Sequence, residues 1–327
     1  MRLHSVDKRY LPLIVTIVLF IVMFAAGSVE YSGFFSLQVF FNLLIDNAFL
    51  LIVAVGMTFV IISGGIDLSV GSMIALTTMI SASLVQHHHW PPFLVIPLVL
   101  VLGSLMGWIM GCFIHYFNLQ PFIVTLAGMF LARGLCYVIS IESITIDNEW
   151  YKAISQTKLH VFGKSYISIS VIIALGVVAA GIFLAHYTKF GRNLYALGGN
   201  EQSSILMGLP VKRTKILVYA LSGFCSSLAG VVFTFYMLSG YGLHALGTEL
   251  DTIAAVVIGG TLLTGGTGYV AGTLVGVLIQ GIIQTLIMFE GTLSSWWTKI
   301  AIGLLLFLFI LLQKLLGSRK KSGEQAG

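Results

Sequence analysis

The sequence predicts an all-α, polytopic membrane protein, and two observations lead to that class. Of its 327 residues, 57% are apolar and only 9% are charged, whereas a soluble domain carries roughly 25% charged residues. Apolar runs that approach the about 20 residues needed for a membrane-spanning helix recur along the whole chain. Their length argues against a membrane β-barrel, whose strands are short and alternate in polarity. We therefore expect one transmembrane domain over residues 1–327.

The apolar runs divide into ten candidate membrane segments. They cover about residues 11–27, 39–62, 73–86, 93–117, 122–140, 167–187, 216–238, 252–264, 268–289 and 297–316. The first segment follows Arg2, Lys8 and Arg9 and resembles a signal peptide. Its 17 residues exceed the apolar core of about 7–15 residues in such peptides, so an uncleaved first span is expected. The eighth segment is short enough to be re-entrant or broken.

Lysine and arginine residues predict the orientation of these segments, because cytoplasmic loops are enriched in them. With the N-terminus in the cytoplasm, 12 of the 17 basic residues fall on the cytoplasmic side. They concentrate in an N-terminal tail (residues 1–10), a loop (residues 188–215) and the C-terminal end with its tail (residues 317–327). Both termini are therefore predicted to be cytoplasmic. The net charge of +5 reflects this orientation and gives no reason to expect a nucleic-acid partner.

Motifs of nucleotide binding, metal binding and catalysis are weak or missing. The GKS triplet at residues 163–165 ends like a phosphate-binding loop, but Lys158 stands where that motif needs a glycine. Three consecutive histidines at residues 87–89 cannot all reach one ion from a helix, and the Trp-Pro-Pro that follows suits an interfacial turn. Three cysteines lie in apolar runs without metal-ligand spacing: Cys112, Cys136 and Cys225. We expect a non-enzymatic protein without a cofactor or a metal.

Polar side chains inside the apolar segments are the first candidates for a transport path, because they are costly in lipid and usually face a cavity or each other. Five of them interrupt the second and ninth segments: Asn42, Asp46, Asn47, Gln280 and Gln284. The two glutamines are four residues apart and share a helix face, so they could instead join helices. Arg133 and Lys299 fit either a functional position or a side chain that extends to the outer interface.

Two glycine-rich stretches, SGGIDLSVGS at residues 63–72 and GGTLLTGGTG at residues 259–268, interrupt the apolar pattern at the predicted cytoplasmic ends of helices. Paired glycines end a helix in each stretch, and an aspartate and a serine in the first can cap the next helix. The residues concerned are Gly64, Gly65, Asp67, Ser69, Gly259 and Gly260. Because discontinuous helices are tolerated where they line a cavity, each stretch is either a capped break or part of a gate.

The predicted cytoplasmic loop at residues 188–215 is about 28 residues long, which is unusual for a loop without structure of its own. Asn200 suits an N-cap, residues 201–207 form a short predicted helix, and Gly208 suits a left-handed helix end. Basic residues flank both ends of the loop. The pattern predicts a helix that docks a partner on the cytoplasmic face, with an ordinary tight loop as the alternative.

Four stretches in a fixed order carry a resemblance to one family. They are GMTFVIISGGIDLSVGSMIAL at residues 56–76, QPFIVTLAGMFLARGL at 120–135, GRNLYALGGN with MGLPVKRTK within 191–215, and ELDTIAAVVIGGTLLTGGTGYVAGTLVG at 249–276. With these motifs the chain resembles, over nearly its whole length, the permease subunits of bacterial sugar ABC importers of the ribose type. Within that family it looks closest to the permeases of galactofuranose importers.

The resemblance implies a fold of about ten transmembrane helices, of the ribose and vitamin B12 importer type, in the bacterial inner membrane. Two permease subunits, here expected to be different homologous chains, would enclose a central path. Cytoplasmic ATPase subunits would supply the energy, and a periplasmic sugar-binding protein would deliver a monosaccharide, here galactofuranose. At the outer rim, Glu249 and Asp251 would contact the binding protein.

The resemblance also implies a coupling helix at residues 200–208, which contacts the ATPase in such importers. Many importer permeases carry an EAAxxxG pattern there, whereas this chain has glutamine and two serines in place of the acid and the alanines. The serines nearly keep the side-chain size, so a helix is still expected. The candidate contacts are Asn200, Glu201, Gln202, Ser203, Ser204 and Gly208. Whether Glu201 or Gln202 faces the ATPase stays open.

Three other classes fit the sequence less well. An ion-coupled secondary transporter of a small polar solute would use Asp46 or Asp67 as its coupling carboxylate and would need no ATPase. An intramembrane enzyme would need a catalytic set of residues that the sequence does not display. A passive channel would have no use for the long basic loop.

Overall fold

A computed structural model describes residues 11–163, 165–294 and 296–324 of the chain. The predicted N-terminal tail, the lysine of the GKS triplet and the last three residues of the C-terminal tail lie outside these ranges. The described chain is mostly helical, so the predicted all-α class is confirmed.

Fourteen α-helices follow one another in the described chain. They are α1 (Leu11–Glu30), α2 (Leu37–Asp46), α3 (Ala48–Ile62), α4 (Val70–Ala82), α5 (Pro92–Tyr116), α6 (Pro121–Ile139), α7 (Glu149–Gln156), α8 (Ile169–Tyr187), α9 (Lys189–Gly199), α10 (Glu201–Leu206), α11 (Val211–Met237), α12 (Thr248–Ile258), α13 (Val270–Glu290) and α14 (Trp296–Glu324). A π-helical turn, Ser83–His87, continues α4. Helices α5 and α6 begin with a proline, whose fixed φ suits the first helical position.

Within the described ranges, four short strands form two antiparallel pairs. Strand β1 (Ile144–Thr145) pairs with β4 (Ser239–Gly240), and β2 (Lys158–Phe162) pairs with β3 (Ser165–Ser168). Because α8 crosses the bundle between β3 and α9, helices α7 and α10 lie at opposite ends of it. We call these two ends the α7 end and the α10 end.

Seven helices of the described chain are long and apolar enough to cross a membrane: α1, α5, α6, α8, α11, α13 and α14. The pair of α2 and α3, bent by 58°, passes as an eighth span. The predicted third and eighth segments correspond to α4 and α12, which have only 13 and 11 residues. A helix of 11 residues rises about 16 Å, roughly half of a hydrocarbon core. The expected number of about ten spans was therefore slightly too high.

The centre of the bundle is formed by α3 and α4, whose side chains are buried on nearly all faces. Neither helix contains a charged residue, and their polar side chains are only serine and threonine hydroxyls, which is typical of helices enclosed by others. The long helix α11 packs against both of them and against α5. A Cβ atom at Gly107 of α5 would lie 2.1 Å from the carbonyl oxygen of Tyr219 of α11, so these two backbones touch.

Helix α12 begins inside the bundle instead of at one of its ends. Residues 241–247, which we call the re-entrant loop, lead from β4 into the bundle, and α12 follows them. In the first turn of α12 the carbonyl of Asp251 accepts a hydrogen bond at 2.9 Å from the side chain of Gln280, which lies at the middle of α13. The N-terminus of α12 is therefore at half depth.

Candidate coupling and translocation site

The short helix α10 begins and ends as the sequence predicts. The side chain of Asn200 accepts a hydrogen bond from the backbone N–H of Ser203 at 2.8 Å, so the predicted N-cap is confirmed. Gly208 has a left-handed φ of +73°, which confirms the predicted helix end. Ser204 is buried, and its hydroxyl donates to the carbonyl of Asn200 at 2.9 Å. These local contacts define both ends of α10, and the buried Ser204 marks the face that α10 turns toward the bundle.

Helix α10 presents apolar side chains at the protein surface. Three neighbouring side chains are more than half exposed: Ile205, Leu206 and Met207. Exposed apolar patches with polar surroundings commonly mark contacts with other proteins. Glu201 and Gln202 are both exposed, but the carboxylate of Glu201 forms an ion pair with Lys215 of α11. Of the two residues that the sequence left open, Gln202 is thus the better placed to face a partner.

Two grooves flank α10 and meet at the end of α3. The larger, of about 620 Å³, lies beside the end of α9. The smaller, of about 330 Å³, reaches the turn between α5 and α6. Ser63, Gly64 and Glu201 line both grooves. A partner seated on α10 would therefore also contact the first helix break.

The two helix breaks and the end of α9 touch through their backbones. The N–H of Gly266 donates to the carbonyl of Ile62 at 2.9 Å. A Cβ atom at Gly198 would lie 1.7 Å from the same carbonyl oxygen, and one at Gly265 would lie 3.0 Å from the Cα of Gly64. We call these five residues the glycine junction. It joins the segment that precedes α10 to both breaks.

The second break contains two glycine pairs with different positions. Gly259 packs against α13, where a Cβ atom would lie 2.5 Å from the carbonyl oxygen of Gly272, and Gly260 has a φ of +92°. These two predicted residues therefore end α12. The later pair, at residues 265–266, contacts the first break and was not among the predicted gate residues. Its repetition of the GG pattern was the only signal in the sequence.

A buried carboxylate holds the first break. Asp67 is fully buried and accepts hydrogen bonds from the N–H and the hydroxyl of Ser69 at 2.9 and 2.6 Å. It also accepts one from the hydroxyl of Ser222 on α11 at 2.7 Å. Ser69 makes no capping bond with its own side chain, so only the aspartate part of the predicted cap is confirmed. Close by, a Cβ atom at Gly65 would lie 2.2 Å from the hydroxyl of Tyr219.

A polar stripe runs along α2. Gln38, Asn42 and Asp46 are spaced four residues apart and share one face. The amide nitrogen of Gln38 donates a hydrogen bond to the side-chain oxygen of Asn42 at 2.8 Å. At the α7 end, the amide oxygen of Gln38 accepts a hydrogen bond from the N–H of Tyr166 at 3.0 Å. The hydroxyl of Tyr236 on α11 donates to Asp46 at 3.5 Å. The polar stripe thus consists of Gln38, Asn42, Asp46 and Tyr236, of which Gln38 and Tyr236 were not predicted.

The five predicted path residues do not share one surface. Asn42, Asp46 and Gln284 are exposed, whereas Asn47 and Gln280 are buried. Asn47 donates to a carbonyl one turn earlier at 3.0 Å, and Gln280 donates to the start of α12. Gln280 therefore connects α13 to α12, Asn47 bonds within its own segment, and the exposed three remain candidates for a path.

Arg133 of α6 holds the re-entrant loop. Its guanidinium donates from Nη1 to the carbonyls of Gly242 and His244 at 2.6 and 2.9 Å. On the α4 side, the imidazole of His244 lies 3.4 Å from the hydroxyl of Thr78. Of the two alternatives for Arg133, a functional position or extension to the outer interface, these bonds argue against the second, because the guanidinium is held by the loop.

Glu249 and Asp251 lie in the first turn of α12, away from the α7 end. A Cβ atom at Gly71, near the start of α4, would lie 2.5 Å from Oε2 of Glu249, and this oxygen has no hydrogen-bond partner within the described chain. Asp251 forms an ion pair with Lys299 of α14. Because α12 begins at half depth, the position of these acids gives no support to the predicted contact with a binding protein.

The described chain is thus a bundle of candidate membrane-spanning helices with two broken segments and a short exposed helix, α10, at one end. The family described as "Branched-chain amino acid transport system / permease component" matches residues 39–310. That match covers most of the chain, and the protein therefore belongs to this permease family.

Relatives of known name support the same assignment. The chain is 52% identical to the inner membrane ABC transporter permease protein YjfF of Escherichia coli K12, over 94% of this chain and 93% of the relative. It is 40% identical to the fructose import permease protein FruG of Bifidobacterium longum, over 95% and 92%. It is also 40% identical to the ribose import permease protein RbsC of Haemophilus influenzae, over 92% of each. No solved structure matches the chain.

Proposed function

We propose that this chain is the membrane-spanning permease subunit of an ATP-driven sugar importer in the bacterial inner membrane. Relatives named as ribose and fructose permeases support a monosaccharide as the substrate. The observation that carries the proposal is the glycine junction, because it joins a docking helix directly to two breaks in membrane-embedded helices. A passive channel has no need of such a connection.

Helix α10 is the proposed contact with the ATPase subunit. The proposed contact residues are Asn200, Glu201, Gln202, Ser203, Ser204 and Gly208, with Ile205, Leu206 and Met207 at the exposed apolar surface. The chain itself hydrolyses nothing in this proposal, so the energy of ATP reaches it as a movement. When the ATPase subunits approach each other, α10 moves with α9, and the glycine junction displaces both breaks.

The polar stripe on α2 is the proposed outer part of the sugar path. Exposed carboxylate and amide groups are costly against lipid, so this surface is expected to face water and the second permease. Carboxylate, amide and phenol groups can all bond to sugar hydroxyls. Gln284 is exposed as well and remains a candidate for the same path.

The proposed orientation puts both termini and α10 in the cytoplasm. The α7 end then faces the periplasm, where a sugar-binding protein would deliver the substrate. A homologous second permease would complete the central path as a heterodimer. Galactofuranose is our specific hypothesis for the sugar, and it follows from the resemblance of the sequence motifs.

Purification in mild detergent from the native membrane tests the ATPase contact. Tagged wild type is compared with Leu206→Asp and with Leu159→Asp, which makes the same change on β2 near the α7 end. We expect wild type and Leu159→Asp to retain an ATPase and a second permease. Leu206→Asp should lose the ATPase alone. Equal retention in all three would contradict docking at α10.

Uptake by cells tests the transport class and the sugar. We expect uptake to persist in the presence of a protonophore. We also expect labelled galactose, which contains a furanose fraction in solution, to be preferred over ribose and fructose. Uptake abolished by the protonophore, with no ATPase in the purified complex, would instead establish an ion-coupled secondary transporter. A preference for ribose or fructose would refute galactofuranose and leave the importer proposal intact.

A further inference from the structure

The re-entrant loop is irregular backbone that extends into the helix bundle. Leu238 just before it has a left-handed φ of +49°, and Ala245 and Gly247 within it have φ values of +55° and +83°. Consecutive turns, without helix or strand, make up the loop. Left-handed φ values are uncommon for leucine and alanine, so this backbone is held by its surroundings.

Contacts with α4 show how far the loop extends into the bundle. A Cβ atom at Gly240 would lie 2.5 Å from the carbonyl oxygen of Thr78, and one at Gly71 would lie 2.7 Å from the carbonyl oxygen of Ala245. Two turns of α4, about 10 Å, separate these two contacts. The loop therefore descends from β4 toward the start of α4.

Irregular backbone at this depth cannot face lipid, because its N–H and C=O groups would lack partners there. It is tolerated only against protein or beside a water-filled cavity. Arg133 and Thr78 contact one side of the loop. The opposite, exposed side must therefore face a second protein chain or an aqueous path.

Three exposed leucines belong to the re-entrant loop and the first turn of α12. They are Leu243, Leu246 and Leu250, which are 44%, 67% and 63% exposed. The ring centroid of Phe233 lies 5.2 Å from that of His244 in the loop. It also lies 4.8 Å from the ring centroid of Phe49, which follows Asp46 by three residues. Since Tyr236 follows Phe233 by one turn of α11, the polar stripe ends close to where the leucines begin.

We propose that Leu243, Leu246 and Leu250 form an apolar seal across the sugar path, and that Arg133 is the positioning residue that holds this seal in place. The inference rests on the function proposed above. In the assembled transporter the leucines face the corresponding loop of the second permease and close the path at half depth. A constriction of apolar side chains excludes water and thereby blocks ions and small polar solutes.

Arg133 acts on the seal through the backbone. Its two hydrogen bonds to the carbonyls of Gly242 and His244 lie on both sides of Leu243. Removing the guanidinium leaves two carbonyls inside the bundle without their donor, which favours a rearrangement of the loop. A lysine keeps a charge and several donors at this position and should restore part of the effect.

Leakage from vesicles tests the seal. The whole transporter complex, purified through a tag on this chain, is reconstituted into vesicles that contain labelled xylitol, a small neutral polyol, and calcein, which reports an intact bilayer. Efflux without ATP is compared for wild type, Leu246→Ser, Arg133→Met and Arg133→Lys. Leu304→Ser is the matched control, because Leu304 is 60% exposed on the membrane-spanning helix α14.

We expect Leu246→Ser and Arg133→Met to raise xylitol efflux about tenfold while calcein is retained. A tenfold increase corresponds to a barrier to efflux that is lower by about 1.4 kcal/mol. Arg133→Lys should leak less than Arg133→Met, and Leu304→Ser should match wild type. No increase for Leu246→Ser, or an equal increase for Leu304→Ser, overturns the seal. If Arg133→Met does not assemble, Leu246→Ser decides alone.

ATP-driven uptake by wild type in the same vesicles separates this inference from the proposed function. If wild type imports sugar and Leu246→Ser shows no increase in xylitol efflux, the seal is contradicted and the proposed function is not. Wild type that fails to import with ATP and binding protein present contradicts the proposed function.

Discussion

The backbone N–H of Gly266 donates a hydrogen bond of 2.9 Å to the carbonyl of Ile62 and so joins the two helix breaks of the chain. Gly198, two residues before the N-cap of α10, lies against the same carbonyl oxygen. A displacement of α10 therefore reaches an atom that both breaks share. Because the contacts are between backbones in a closely packed region, a shift at one of them is transmitted to the others.

A methyl group at Gly198 is expected to disturb this junction. Its Cβ atom would lie 1.7 Å from the Ile62 carbonyl oxygen, and overpacking of this kind typically costs about 1–3 kcal/mol. Gly198→Ala should therefore lower both the unfolding temperature in detergent and the rate of ATP-driven uptake. Gly199→Ala is the matched control, because apart from its own helix and chain neighbours no atom of the described chain lies within 4 Å of its Cβ position. Equal losses in both variants would contradict the junction.

Ser222→Ala tests whether the buried carboxylate of Asp67 anchors the first break. The change removes one of three hydrogen bonds that Asp67 accepts, and a buried acceptor that loses its donor typically carries a penalty of about 1–3 kcal/mol. We expect a lower unfolding temperature. Ser226→Ala is the control one turn along α11, since its hydroxyl donates to the carbonyl of Ser222. A larger loss of stability in Ser226→Ala would refute the anchoring role.

Local chemistry explains what the sequence predicted correctly. Asn200 and Gly208 act through bonds and dihedral angles of their own segment, and both the cap and the helix end agree with the structure. The same holds for the first break, where Gly64 has the left-handed φ of +85° that glycine favours. Continuous apolar runs likewise predicted the helical class, because period and length are local properties.

Long-range contacts explain what the sequence did not predict. Gly266 contacts Ile62 only because two distant segments fold together. A sequence pattern indicates which face of a helix is buried, but it does not identify the segment that packs against that face. The contact of Glu249 with a binding protein was expected from the predicted topology and the family resemblance, which do not show that α12 begins inside the bundle. Tyr236 stood in an apolar run, and its hydroxyl had no recognisable partner until α2 was placed beside it.

The polar stripe should contribute to uptake without contributing much to assembly. Asp46→Asn and Tyr236→Phe each remove a polar group from an exposed face, and one hydrogen bond is typically worth about 0.5–1.5 kcal/mol, roughly a two- to tenfold change. We expect initial uptake rates to fall within that range while the purified complex keeps its subunits. Asp147→Asn, an exposed carboxylate near the α7 end, is the control. Unchanged uptake in both stripe variants would exclude this face from the path.

The stability of α10 as a docking helix should depend on its N-cap more than on its ion pair. Glu201, which pairs with Lys215, is 44% exposed, and exposed ion pairs typically contribute about 0–1 kcal/mol. Loss of an asparagine N-cap typically costs about 0.5–2 kcal/mol. We therefore expect Asn200→Ala to release more ATPase during purification than Lys215→Met does, at low and at high salt. A larger loss in Lys215→Met, confined to low salt, would show that the ion pair orients α10.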